Sequence, residues 1–158
     1  MALKIFTDLV EDIGKLSGTM LPGADKGRID MLVDDVGFSL IESIEPGQPS
    51  AYHLCDFGVL PIEYREGTLQ RLLEVNYFWY GPASPTFAYN FDDNHVVLMG
   101  IVSLASTTAE SLLRTFAKHA GLAKEWRRNY LLVEPGEPLP TPVVPSKRRM
   151  FPNISATN

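Results

Sequence analysis

Residues 72–90 read LLEVNYFWYGPASPTFAYN, and this stretch decides the fold. It starts as an apolar helix whose last turn carries four aromatic residues, and a Gly-Pro pair then ends it. A helix that is apolar nearly all round must be covered on more than one side. In a chain of this size the expected cover is a second copy, so the stretch predicts a homodimer. The residues predicted at or beside the seam are Val75, Phe78, Trp79 and Tyr80.

Two further elements follow this helix. Residues 86–92 and 95–104 alternate apolar and polar positions around Asp92-Asp93-Asn94, which predicts a hairpin. Residues 107–128, TTAESLLRTFAKHAGLAKEWRR, predict a long amphipathic helix. The pair Thr107 and Glu110 has the spacing of a capping box at its start.

The first part of the chain predicts one helix and three strands. Residues 2–17 form an amphipathic helix, and residues 29–34, 36–44 and 51–60 read as strands with short connections. Thr68 can then cap the second helix. Short connections between consecutive strands favour antiparallel pairing. The predicted fold class is α+β, with the order α-β-β-β-α-β-β-α and a twisted antiparallel sheet with three helices.

The composition changes at Glu134. Residues 134–158 contain six prolines and no periodic apolar face, so we expect a flexible tail after a single domain of residues 1–133. Within this tail, Pro142, Pro145 and Lys147 match a proline-rich ligand pattern that often arises by chance.

Charge and composition exclude several classes of protein. Residues 1–133 carry 11 Lys and Arg against 17 Asp and Glu, and this acidic body disfavours binding to nucleic acid or anionic membranes. The first residues contain three carboxylates in a helical pattern, which is unlike a signal peptide. No apolar run approaches the ~20 residues of a membrane span. With a single cysteine, Cys55, the expected location is the cytoplasm.

Candidate catalytic and metal-binding residues are few. His53 and Cys55 share one face of a strand but have no further partner spaced nearby, so packing is the favoured interpretation over a small hydrolase or metal enzyme. The acidic pair at 92–93 lacks the glycine and distal glutamate of a calcium loop, and a turn is favoured there. Nucleotide-binding and nucleophile-elbow motifs are absent from the sequence. We therefore predict no catalysis, no metal and no cofactor.

The order and the sequences of these segments resemble those of the small dimeric type III secretion chaperones of the Tir-chaperone (CesT-like) family. The segments that carry the resemblance are LCDFGVLP at 54–61, LLEVNYFWYGPASPTFAYN, DDNHVVLMGIVSL at 92–104 and the helix at 107–128. The resemblance covers roughly residues 3–130, and the proline-rich extension departs from the usual short ending. It implies a bacterial homodimer that holds an unfolded segment of one secreted effector, keeping it soluble and export-competent, without ATP or catalysis.

An extended client of this kind lays apolar anchors into surface patches. Apolar residues of the first helix and the sheet are the candidates to line them, although some must also be core. They are Leu3, Phe6, Leu32, Ile41, Phe87, Tyr89 and Met99. The alternative from another class is a regulatory or stress adaptor of the same fold that has no secretion client.

Overall fold

The computed structural model describes residues 2–142, with side chains from Ile5 onward. Its elements follow the predicted order and confirm the α+β class. The helices are α1 (Ala2–Ser17), α2 (Arg65–Phe78) and α3 (Ala109–Asn129). The strands are β1 (Arg28–Val33), β2 (Val36–Glu42), β3 (Ser50–Val59), β4 (Thr86–Asn90) and β5 (His95–Ser103). A short 3₁₀ turn, Ala24–Lys26, precedes β1.

The five strands form one antiparallel sheet in the order β1-β2-β3-β5-β4. Asp34 and Asp35 both have positive φ, as a type I′ turn requires, and they connect β1 to β2. The connection between β4 and β5 follows the pair Asn90 and His95. His95 also pairs with Val59 at the end of β3. The β1–β2 turn and the β4–β5 turn therefore lie at the same end of the sheet.

One face of the sheet is covered and forms the core. Helix α3 packs across β1, β2 and β3, and α1 packs against α3. Phe38 of β2 stacks on Phe116 of α3 with ring centroids 4.5 Å apart, and Phe57 contacts Trp126 edge-on. Side chains on the other face, such as Leu32 and Ile101, are exposed, so that face of the sheet is left open.

Two predicted helix starts are wrong by a short distance. Helix α3 is capped by Thr108, whose hydroxyl accepts from the Ser111 backbone N–H at 3.2 Å in a reciprocal capping box. The predicted pair Thr107 and Glu110 lies one residue too early, because either threonine offers a capping hydroxyl and only the backbone path selects one. Helix α2 begins at Arg65, so Thr68 is a buried position within it rather than its cap.

The chain reverses direction after α3 and returns over α2. Tyr130 and Leu131 both adopt positive φ. The buried Asn129 side chain holds this reversal by accepting from the Leu131 N–H at 2.9 Å and donating to the Val133 carbonyl at 3.2 Å. Residues 134–142 form neither helix nor strand, and the rest of the predicted tail lies outside the described residues. No helix in the described part is long and apolar enough to span a membrane.

Candidate functional site: the open face of the sheet

The face of the sheet opposite α1 and α3 carries three rows of side chains across neighbouring strands. Strand register places the members of each row side by side. The first row is Arg28, Ile41, Tyr52 and Ile101. The second row is Asp30, Ser39, Leu54, Met99 and Thr86. The third row is Leu32, Gly37, Asp56, Val97 and Ala88.

Apolar side chains dominate the centre of this open face. Leu32 is 74% exposed, Ile101 58% and Met99 38%, with Tyr52 and Leu54 half-buried between them. Large apolar residues in adjacent positions on an exposed surface mark an interaction site. The spacing of the rows follows the strand repeat, so side chains of an added extended segment would meet them at matching intervals.

An open depression of about 1030 Å³ continues the open face past the edge of the sheet. Leu32, Leu54 and Val97 line it from the open face. Met20 and Leu21, in the segment that follows α1, also line it. Apolar contact area thus extends from the sheet to the end of the first helix.

Two polar groups frame the apolar centre. At the β1 side, Arg28 donates to Asp30 at 3.0 Å, and this hydrogen bond is the main reason that the pKa of the Asp30 carboxyl is lowered. At the end of β3, Asp56 Oδ1 contacts His95 Nδ1 at 2.8 Å and also accepts from the Gly58 N–H at 2.9 Å. These groups can orient a polypeptide by charge and by hydrogen bonding.

The two edges of the sheet differ in their availability. At the β4 edge, the Asn76 side chain of α2 bonds both the N–H and the carbonyl of Phe87. At the β1 edge, the Arg28 N–H donates to the Gly23 carbonyl. Within residues 2–142, this is the only backbone hydrogen bond between β1 and a residue outside the sheet. The β1 edge can therefore accept an added strand.

The C-terminal end of α2 presents a second apolar surface. Tyr77, Phe78 and Tyr80 are exposed, and Val75 is half-buried. Trp79 differs because its ring stacks on Phe87 with centroids 5.8 Å apart. Exposed aromatic side chains in consecutive positions are typical of an interface.

A protein-family model identifies the family to which this fold belongs. The model of the Tir chaperone protein (CesT) family matches residues 9–127, which is most of the chain. The chain belongs to the Tir chaperone protein (CesT) family. No curated protein matches it by sequence.

Solved structures agree with the CesT-family fold. The HopA1–SchA chaperone–effector complex contains a chain with 14% identity and a TM-score of 0.60, covering 80% of this chain and 96% of that chain. The ExsC–ExsE complex contains one with 24% identity and a TM-score of 0.62, covering 80% of this chain and 92% of that chain. At these identities the likeness concerns the fold.

The predicted patch residues of this CesT-family chain separate into three groups. Leu32, Ile41 and Met99 lie together on the open face. Phe6 and Phe87 are buried in the core, so their assignment to a surface patch is wrong. Phe87 lies on the helix-covered side of β4, which an alternating pattern does not identify, and Phe6 lies on α1, which helps to cover that side.

The other two candidates lie elsewhere. Tyr89 is half-buried on the helix-covered side of β4, where its phenol donates to Asn94 Oδ1 at 2.7 Å and its ring packs under Arg65. It is therefore not part of the open face. The side chain of Leu3 lies outside the described residues.

Sequence reasoning missed four residues of the open face, namely Tyr52, Leu54, Val97 and Ile101. A signal for the first two was present, because they alternate with His53 and Cys55 along β3. Because His53 and Cys55 belong to the core, Tyr52 and Leu54 must lie on the opposite face of the sheet.

His53 and Cys55 are both buried against α3, as packing residues are. Burial, together with Asp56 nearby, raises the pKa of the Cys55 thiol to about 12, so it stays protonated and is a poor nucleophile. His53 stacks on His119 with ring centroids 5.3 Å apart. Among residues 2–142, no three His, Cys, Asp or Glu side chains are arranged to hold a metal ion.

Proposed function

We propose that this protein is a non-enzymatic chaperone that binds an extended segment of a type III secreted effector and keeps it soluble and export-competent. The single observation that carries the proposal is the open apolar face of the sheet, found on a fold of the Tir chaperone family. One of the similar structures is itself described as a chaperone–effector complex.

The open face supports binding by two physical means. Apolar anchors of the client would pack onto Leu54, Met99 and Ile101, since desolvated apolar contacts dominate such interfaces. A client strand would pair with the β1 edge, while Asn76 keeps the β4 edge occupied. Neither step requires a nucleotide, a metal or a covalent intermediate.

The proposal includes a two-fold homodimer formed through α2. Phe78 and Tyr80 are exposed beside Val75, and burial against the same residues of a second copy would remove them from water. The mass of this dimer would be about 35 kDa, twice that of the chain. Dimer formation would leave the open face on each subunit available to the client.

We assign residues 1–133 to the chaperone domain and residues 134–158 to a separate tail. The packing of the C-terminal segment supports this boundary: Arg71 of α2 donates to the Leu131 carbonyl at 3.1 Å, and the Asn129 contact with Val133 is the last one that holds the chain reversal. A client that awaits export is bound in the bacterial cytoplasm, which is the location we propose.

Co-purification tests the chaperone function. The tagged full chain would be expressed with the proteins encoded beside it, and a retained polypeptide would be identified by mass spectrometry. Met99→Asp, which places a charge at the centre of the open face, should reduce binding by ~30-fold or more. Ile62→Asp is the matched control, because Ile62 is exposed outside the open face.

Circular dichroism must show that both variants remain folded. A variant that loses the client only when it unfolds would contradict the assignment of the open face. If no polypeptide is retained by the unmodified chain, the chaperone proposal fails and the adaptor alternative replaces it.

A further inference from the structure

One end of the open face is strongly acidic. The two hairpin turns contribute Asp34, Asp35, Asp92 and Asp93, and Asp56 lies between them at the end of β3. None of the four turn carboxylates forms an ion pair with a described residue. We call these five residues the acidic end.

Positive side chains near the acidic end are already engaged. Arg127 of α3 donates to the backbone carbonyls of Asp56 and Phe57, each at 2.9 Å. Arg65 donates to Asn94 Oδ1 and to the Tyr89 phenol. His95 contacts Asp56. Five carboxylates outnumber these two arginines, so the acidic end keeps an excess of negative charge that a basic partner could neutralise.

Helix α3, which precedes the C-terminal tail, ends at this same end of the sheet. Arg127, in the last turn of α3, touches the end of β3, and the chain then passes Gly67 in the first turns of α2. Residues 143–158, which follow the described part of the chain, can span on the order of 50 Å when extended. The five strands together are only ~20 Å wide, so a segment of this length is long enough to cross every row of the open face.

The sequence beyond residue 142 complements the open face in charge and in hydrophobicity. Residues 143–158 contain Lys147, Arg148 and Arg149 and no acidic residue. Apolar residues follow directly, and Met150 and Ile154 share one side of an extended segment because they are four residues apart. This order of basic and then apolar residues matches an acidic end followed by apolar rows.

We propose that residues 143–158 bind the open face of their own chain. In this arrangement Lys147, Arg148 and Arg149 would pair with carboxylates of the acidic end, and Met150 and Ile154 would pack on the apolar rows. The tail is then an internal substitute for the client, which covers apolar surface until a client displaces it. It lowers the apparent affinity for a client in proportion to the fraction of molecules in which it is bound.

This inference goes beyond the proposed function, because the occupant is a segment of the same chain and its test needs no client. A nitroxide would be attached to the full chain at Thr157→Cys. Cys55, the only other thiol, is buried and would stay unlabelled in the folded protein. Paramagnetic broadening of backbone amide signals would then be measured in isotope-labelled protein.

Broadening should concentrate on β3 and β5, at positions such as Leu54, Val97 and Met99. It should fall at least several-fold in the variant Lys147→Glu/Arg148→Glu/Arg149→Glu and in 1 M salt, where screening shortens to ~3 Å. Lys118→Glu/Lys124→Glu is the control for net charge, and it should keep the broadening because both residues lie on α3.

Three results would overturn the inference. One is broadening that is absent or spread evenly over the domain, and another is broadening that persists in the triple charge reversal. The third is broadening, in a mixed sample, only of chains that carry no nitroxide. That result would place the tail on the partner subunit. The chaperone proposal would survive each of these results, since none of them measures client binding.

Discussion

The side-chain amide of Asn76 pairs with both backbone groups of Phe87, accepting from its N–H at 2.7 Å and donating to its carbonyl at 3.0 Å. A single side chain thus takes the place that a neighbouring strand would occupy beside β4. It also fixes the position of α2, whose Trp79 stacks on the Phe87 ring. The occupied β4 edge of the sheet and the position of the exposed end of α2 both depend on this contact.

Removing this amide should destabilise the domain. Asn76→Ala would delete two partly buried hydrogen bonds and leave two backbone groups without a partner, at a cost of about 1–3 kcal/mol in the free energy of unfolding. Urea denaturation followed by circular dichroism measures it. Gln70→Ala, an exposed position in α2 that bonds only Glu74, should change stability by less than about 0.5 kcal/mol. Equal effects of the two substitutions would contradict the role of Asn76.

A glycine pair tests the packing of His53. A Cβ at Gly100 would collide with the His53 ring, so Gly100→Ala should lower the free energy of unfolding by about 1–3 kcal/mol. At Gly121, on the exposed side of α3, a Cβ meets nothing within 4 Å. Gly121→Ala should therefore raise stability by up to ~1 kcal/mol, because alanine favours the helix. Chemical denaturation of both variants measures the contrast, and a neutral Gly100→Ala would contradict the packing.

Stability should also fall in acid through His53. Burial first, and then the charge of His119, lower the pKa of His53 from 6.5 to about 4. Between these two values the unfolded chain binds more protons than the folded chain, so the folded state loses stability as pH falls through this window. The loss due to this group is on the order of 3 kcal/mol by pH 4.

Urea denaturation at several pH values between 7 and 4 measures this slope. His53→Leu should have a clearly smaller slope, with the remainder from His119, whose pKa is also lowered by burial. If His53→Leu and the unmodified chain lose stability in parallel, the buried pair is not the source.

The proposed dimer makes a prediction at the end of α2. Phe78→Asp would place charges within the seam, and the protein should shift from about 35 kDa to about half that mass at micromolar concentration. Light scattering coupled to size-exclusion chromatography reports the mass. Phe91→Asp is the matched control, since Phe91 is similarly exposed but lies in the turn after β4. A monomeric unmodified chain would refute the dimer directly.

Periodicity in the sequence was sufficient to predict the element order and the fold class. Each helix and strand carries its own pattern, such as the alternation of Asp30 with Ile29 and Met31 in β1. The ends of the elements were harder to predict, because a capping hydroxyl is available at both Thr107 and Thr108. Which of the two caps the helix depends on how the chain leaves β5, and no local pattern records that path.

The sequence by itself therefore determined the fold class, the family resemblance and the existence of more apolar surface than one thin domain hides. Tertiary structure alone decided which apolar residues form that surface. An alternating strand specifies two faces but not the one that α1 and α3 cover, so Phe87 and Met99 have similar signals yet lie in the core and on the open face. Covering helices are contributed by distant parts of the chain, and only folding brings them to one side of the sheet.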